Sequence, residues 1–218
     1  LGKNRIDEDS LMLQTDEKFL KVESANGLKH QSKQAEIVFK KIPLDNPYIF
    51  EKLVSQPLAS FESAKKQSEV LVKKGLKPII TMPSHWEIWL PVKDKDKVNQ
   101  NFKIRRTTIN NEIVPFLINK YTFQKLEGPI SVISEAGIKI NDINYGKIFY
   151  LIKDSYGTWT LVQKLSFAEY LKGVLPHEIG PNSPLEALKA QAVIARTWAI
   201  YNSNRFKADK FHLCVTTQ

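Results

Sequence analysis

The spacing of apolar and polar positions changes three times along the chain. Residues 1–35 ("LGKNRIDEDS", "ESANGLKHQSKQ") are polar and weakly periodic, which predicts a loosely structured arm or sheet-edge elements. From 46 onward the pattern sharpens. "PYIFEKLVS" has the character of a strand, and "SFESAKKQSEVLVKKG" that of an amphipathic helix. Ser60 stands at its N-cap, Gly75 at its stop, and Phe61, Ala64, Leu71 and Val72 on one stripe. "KPIITM" and "HWEIWLPV" follow as strands, the second alternating Trp86, Ile88 and Leu90 against Glu87 and Trp89. Between about 104 and 165 come short apolar runs set off by Gly, Asn and Asp, among them "NEIVPFLI", "GPISVIS", "GKIFYLIKD" and "TWTLVQKL".

Two helices close the pattern. "SFAEYLKG" carries a capping box, with Ser166 as cap and Glu169 three residues on; Gly173 and Pro176 predict an early end. "SPLEALKAQ" predicts a second capping box from Ser183 and Glu186, with Pro184 in the first helical position. The inward stripe of that helix reads Leu185, Leu188, Ala192, Ala195 and Ala199. Its small residues predict close packing inside the domain.

The fold class that emerges is α+β: a β-rich layer with a buried alanine-rich helix, preceded by a small α/β module. The expected divisions are an arm at 1–45, the module at 46–103 and a main domain at 104–218. The strand–helix–strand–strand order of the module resembles a SPOR-type peptidoglycan-binding domain. Trp86 and Trp89 are its candidate sugar-stacking residues, although strand aromatics more often serve a core.

Composition narrows the function. The chain has 218 residues, 42% of them apolar and 25% charged, and a net charge of +9. The basic residues are scattered among acids ("LVKKG", "VKDKDK", "KIRR"), which describes a solvated surface suited to a polyanion. No run of about 18 apolar residues occurs, so no transmembrane segment is expected. Nucleic acid is an unpromising partner, because no recognition-helix or RNP-type signature accompanies the charge. One cysteine, Cys214, excludes an internal disulfide, and the four histidines form no HExxH-like pattern. The first residue is Leu1, with no signal segment after it, and "FHLCVTTQ" ends without a stop signal. The chain therefore reads as a piece of a longer protein.

The chemistry concentrates at "GVLPHEIGPN". Pro176, Gly180 and Pro181 predict a short stiff loop between the two helices, holding the carboxylate of Glu178 with little freedom. The residues alone leave two readings open: a surface acid paired with a base, or a general acid placed for catalysis.

"FAEYLKGVLPHEIGPNSPLEALKAQAVIARTWAIYN" followed by "FHLCVTTQ" resembles the SpoIID/LytB family, which includes stage II sporulation protein D and the amidase enhancers. The resemblance is dense over residues 167–218 and silent on residues 1–100. It implies a peptidoglycan lytic transglycosylase that cleaves MurNAc–GlcNAc bonds of strands stripped of stem peptides. The catalytic acid/base it implies is Glu178, and one carboxylate suffices where the sugar's own C6 hydroxyl is the nucleophile. Gln191, Arg196, His177, Thr216 and Thr217 are the implied substrate-binding residues. Arg196 has two open roles, gripping a lactyl or peptide carboxylate or pairing with Glu178 or another acid inside the domain.

Some members of the family bind zinc near the "LCxTT" segment. Here His212 and Cys214 are weak metal candidates and no cofactor is expected. The implied partners are peptidoglycan glycan strands and a cell-wall amidase, and the implied location is extracytoplasmic, reached by export. The alternative reading is a non-catalytic wall-binding activator of an N-acetylmuramoyl-L-alanine amidase.

Overall fold

The structure is a computed structural model that describes residues 10–119, 122–140 and 143–214. It has the expected α+β architecture. Among the described residues, two antiparallel sheets hold most of the regular structure, and the C-terminal helices lie beside them.

Strands β1 (Ser10–Gln14), β2 (Leu20–Glu23) and β3 (Lys29–Ser32) come from the segment whose sequence predicts an arm. They are short but strictly alternating, and their inward residues Leu11, Leu13, Leu20 and Val22 are all buried. That corrects the loose-arm reading for β1 and β2, while β3 stands at the edge of its sheet, as the sheet-edge reading expects. Four or five residues give too short a window for a period-2 pattern to stand out among polar neighbours. Here β1 runs between β4 (Gln34–Ser55) and β10 (Lys139–Ile140), inside a sheet rather than at its edge.

Strand β4 pairs with β7 (Phe102–Asn119) from Glu36↔Ile118 to Ser55↔Phe102, with one irregularity between Pro43 and Tyr48. This ribbon is the spine of the molecule. The expected divisions at 45/46 and 103/104 both fall inside it, so the arm, the module and the main domain share two continuous strands. At one end, β4 and β7 join β1, β8 (Thr122–Lys125), β10 and β11 (Ile143–Asn144). Their inner face packs on the second sheet, ordered β13–β12–β9–β2–β3. In that sheet β9 spans Ile130–Ile133, β12 Ile148–Lys153 and β13 Trp159–Gln163. Leu13, Leu20, Ile37, Leu117, Ile130 and Phe149 lie at the centre of the sandwich core.

At its other end the ribbon carries a second, smaller core. Helix α1 (Phe61–Lys73) begins where its sequence predicts, with Ser60 Oγ accepting from the Ser63 amide at 3.1 Å. Strands β5 (Ile79–Thr81) and β6 (Glu87–Leu90) follow it, giving the expected strand–helix–strand–strand order. Leu53, Ala64, Leu71, Ile88, Leu90 and Phe102 fill the space between them. Both tryptophans of this region are packed. Trp86 sits between Phe61 (centroids 5.3 Å apart) and Phe206 (5.6 Å). Trp89 donates its indole N–H to the buried Glu87 carboxylate at 2.6 Å, and Arg105 grips that same carboxylate at 2.8 and 2.9 Å.

Candidate active site

Glu178 lies on a helix, not in a loop. Helix α2 spans Phe167–Ile179, running through Gly173 and Pro176 to end at Gly180. Its start is the predicted capping box: Glu169 accepts from the Ser166 amide at 2.8 Å, and Ser166 Oγ accepts from the Glu169 amide at 3.2 Å. Pro176 has no N–H to donate to the Lys172 carbonyl one turn back, and the chain tolerates that single loss close to the helix end. Gly180 is what stops the helix. Its φ of 84° and ψ of 145° lie in a region that side-chain-bearing residues avoid.

The turn after it also departs from expectation. Ser183 does not cap the next helix; its hydroxyl donates back to the Ile179 carbonyl at 2.5 Å, tying down the end of α2. Pro184 occupies the N-cap of α3 (Leu185–Tyr201) and, as a proline, offers it no side-chain cap. Nor is α3 deeply buried. Of its expected stripe only Ala195 and Ala199 are buried, while Val193, Ile194, Trp198, Ile200 and Tyr201 are exposed.

The two helices carry three carboxylates, in three different situations. Glu169 is consumed by the cap of α2. Glu186 is ion-paired with Lys189 at 2.8 Å on the surface of α3. Glu178 is exposed and accepts a 2.5 Å hydrogen bond from the Gln191 side-chain amide, thirteen positions on and across the turn. A neutral amide fixes the carboxylate's position and leaves its charge uncompensated. Half-buried Tyr170, about two helical turns before Glu178, registers that charge. Its phenol is pushed above the ordinary tyrosine range, first by burial and then by the negative charge of Glu178. Tyr170 also lines a groove of about 660 Å³ with Tyr150, Phe167, Ile200, Phe211 and His212.

The remaining sequence-predicted residues divide. Gln191 meets Glu178 directly. His177 is exposed beside it on the last turn of α2. Arg196 is exposed on α3, with no ion pair to Glu178. His212 and Cys214 line different cavities, His212 the groove beside Tyr170 and Cys214 another next to Arg205. Among the described residues no group of three His, Cys, Asp or Glu side chains is gathered to hold a metal ion. Thr216 and Thr217 lie outside the described residues. Tyr170 reads as a packing residue in the sequence. Its only signal of a role at the site is its position on the face of α2 that turns toward the groove.

Comparison with known proteins places this end of the chain. Residues 155–218 match the model of the SpoIID family, described as stage II sporulation protein. A relative from Brachyspira hyodysenteriae (strain ATCC 49526 / WA1), described as an uncharacterized protein, is 42% identical over 81 residues. The alignment covers 35% of this chain and 22% of that relative, so the chain spans about a fifth of the relative's length. No solved structure matches the chain. Among the described residues, no helix is long and apolar enough to cross a membrane.

Proposed function

We propose that the protein is a peptidoglycan lytic transglycosylase in which Glu178 is the single acid/base. One observation carries the reading: Glu178 is the carboxylate on α2 and α3 that is neither committed to a cap nor neutralised by a cation, and Gln191 holds it in place. A bound glycan strand covers the exposed carboxyl and displaces water from it. Protonated Glu178 gives its proton to the glycosidic oxygen as the bond from that oxygen to the anomeric carbon breaks. The C6 hydroxyl of the same MurNAc attacks the anomeric carbon, and the Glu178 carboxylate takes the hydroxyl proton. The products are a 1,6-anhydro end and a free sugar hydroxyl. Glu178 is left protonated, ready for another turnover. No second carboxylate is required, unlike in hydrolytic glycosidases. Gln191 orients the carboxylate, and Arg196 and His177 are placed to meet the strand. The basic surface suits an anionic wall polymer, and such a substrate places the protein outside the cytoplasmic membrane.

The exposed apolar face of α3 favours a second reading, in which this segment docks on a wall amidase and activates it. One experiment separates the two. Amidase-stripped glycan strands are digested with the full-length protein and with its Glu178→Gln variant, and the products are read by mass spectrometry. Anhydro-sugar products from the parent and none from the variant are expected. No cleavage by either, with strand binding retained by both, overturns the enzyme reading in favour of the activator.

A further inference from the structure

Where the SpoIID-family segment meets the smaller core, a groove of about 440 Å³ opens between the start of α1 and the turn after α3. Arg205 forms one wall, Ser60, Ser84 and His85 supply polar atoms, and Trp86 and Phe206 supply apolar surface. Arg205 is the unusual member. Its side chain is 15% exposed, and its guanidinium lies against the rings of Phe61 and Trp86, 5.4 Å from each centroid. A guanidinium has five N–H donors in a planar fork and always carries its charge. Here Nε is buried without an acceptor. Its nearest acid, Glu62, is half-exposed and stands 3.8 Å away, beyond hydrogen-bond distance.

A largely buried cation whose ion pair is this long has room to gain from a ligand that adds acceptors. The surroundings favour an anion. Ser60 is the N-cap of α1, a thirteen-residue helix, so the positive end of that helix lies at the groove beside Arg205. The hydroxyls of Ser60 and Ser84 and the His85 imidazole can bond sugar hydroxyls, and the ring edges can take an apolar sugar face.

We propose that this groove binds a carboxylate-bearing amino sugar, with Arg205 gripping the carboxylate. The proposal rests on the reading of peptidoglycan as substrate, in which the sugar is MurNAc and the carboxylate that of its lactyl group. The groove is a binding subsite away from the scissile bond. Gln191, which holds Glu178, precedes the end of α3 by about 15 Å of helix, and Arg205 lies in the turn beyond. A strand spanning both sites presents a free lactyl carboxylate only where its stem peptide has been removed.

The test is a titration of the 218-residue chain followed by NMR of the Trp86 indole and His85 imidazole, which report on this groove. N-acetylmuramic acid is expected to shift both signals. N-acetylglucosamine, the same ring without the lactyl carboxylate, is expected to bind at least tenfold more weakly, as is L-alanyl-D-glutamate. Arg205→Gln should abolish the shifts. Ser84→Trp, an exposed position at the groove, should block binding without disturbing the core and covers the case in which Arg205→Gln fails to fold. Equal binding of the two sugars overturns the proposal, and so does unchanged binding by the Ser84→Trp variant. A dipeptide that binds as tightly as N-acetylmuramic acid places the carboxylate on the stem peptide and overturns the sugar assignment. Glu178→Gln should bind N-acetylmuramic acid as the parent does. Anhydro products that depend on Glu178 without any binding here would therefore remove this proposal and leave the enzyme reading standing.

Discussion

At the scale of single residues, the site turns on one amide. Gln191 belongs to the sequence string that points to substrate binding, yet its side chain reaches Glu178. On the proposed reading it is a positioning residue, and its removal is expected to act on kcat. Hydrogen bonds to charged groups contribute about 1.5–3 kcal/mol, and about 1.4 kcal/mol corresponds to tenfold in rate. Gln191→Leu should therefore lower kcat for anhydro-sugar release roughly ten- to a hundredfold, with little change in KM. A rise in KM at constant kcat would mean that Gln191 grips substrate instead. The sequence singles out Glu178 and Gln191 as candidates but not as neighbours, because thirteen positions and a turn separate them.

Lys52 offers a test of a different kind. Its ammonium lies 2.9 Å from the Trp89 ring centroid, and its pKa is pushed down to about 8, first by burial and next by Arg105, with Glu87 acting in the opposite sense. A base whose folded pKa is below its unfolded value gives up its proton first in the folded state. The contribution of Lys52 to stability therefore rises with pH from about 8 toward the ordinary lysine range. Urea denaturation at pH 7 and pH 9.5 should show the parent gaining stability relative to Lys52→Met. A gain of equal size in both proteins would remove the assignment.

At the scale of elements, the helix starts were legible and one stop was not. Ser60 and Ser166 cap as their spacing predicts, since a side-chain cap is a local device. Pro176 reads as a terminator because it costs a hydrogen bond, but near a helix end few such bonds remain to lose, and α2 runs on to Gly180. Gly180→Ala is the matching test. A Cβ there would meet nothing within 4 Å, so the penalty comes from the backbone angle and not from a clash. A loss of about 1–3 kcal/mol is expected in chemical denaturation. Activity should fall as well, because Glu178 lies two residues before this stop. Ser183 shows the limit of capping rules: sequence cannot tell whether a serine between two helices serves the one behind it or the one ahead.

At the scale of the whole molecule, aromatic rings join the SpoIID-family segment to the smaller core. Phe206 stacks on Phe211 at 4.9 Å and packs against Trp86, and Tyr156 donates to Asp209 at 3.2 Å while accepting from the Met82 amide at 3.0 Å. Phe206→Ala should destabilise the protein by about 3–5 kcal/mol and release both parts, seen as earlier thermal loss of the tryptophan environment. A stability change below about 1 kcal/mol would show that the two parts hold independently. The sequence made the α+β class and the local order of elements visible. It hid the sharing of β4 and β7 between the two cores, because long strands with exposed middles look like linkers when read one window at a time.

That shared ribbon constrains how the chain can reach its native state. Its pairs join Glu36 to Ile118 at one end and Ser55 to Phe102 at the other, with α1, β5 and β6 all lying between the two strands in sequence. The loop closes with least entropy loss at the Ser55–Phe102 end, and zippering from there lengthens the closed register one pair at a time. The smaller core can therefore assemble early, around a local nucleus. The sandwich must wait for distant partners, which makes its formation the slow event.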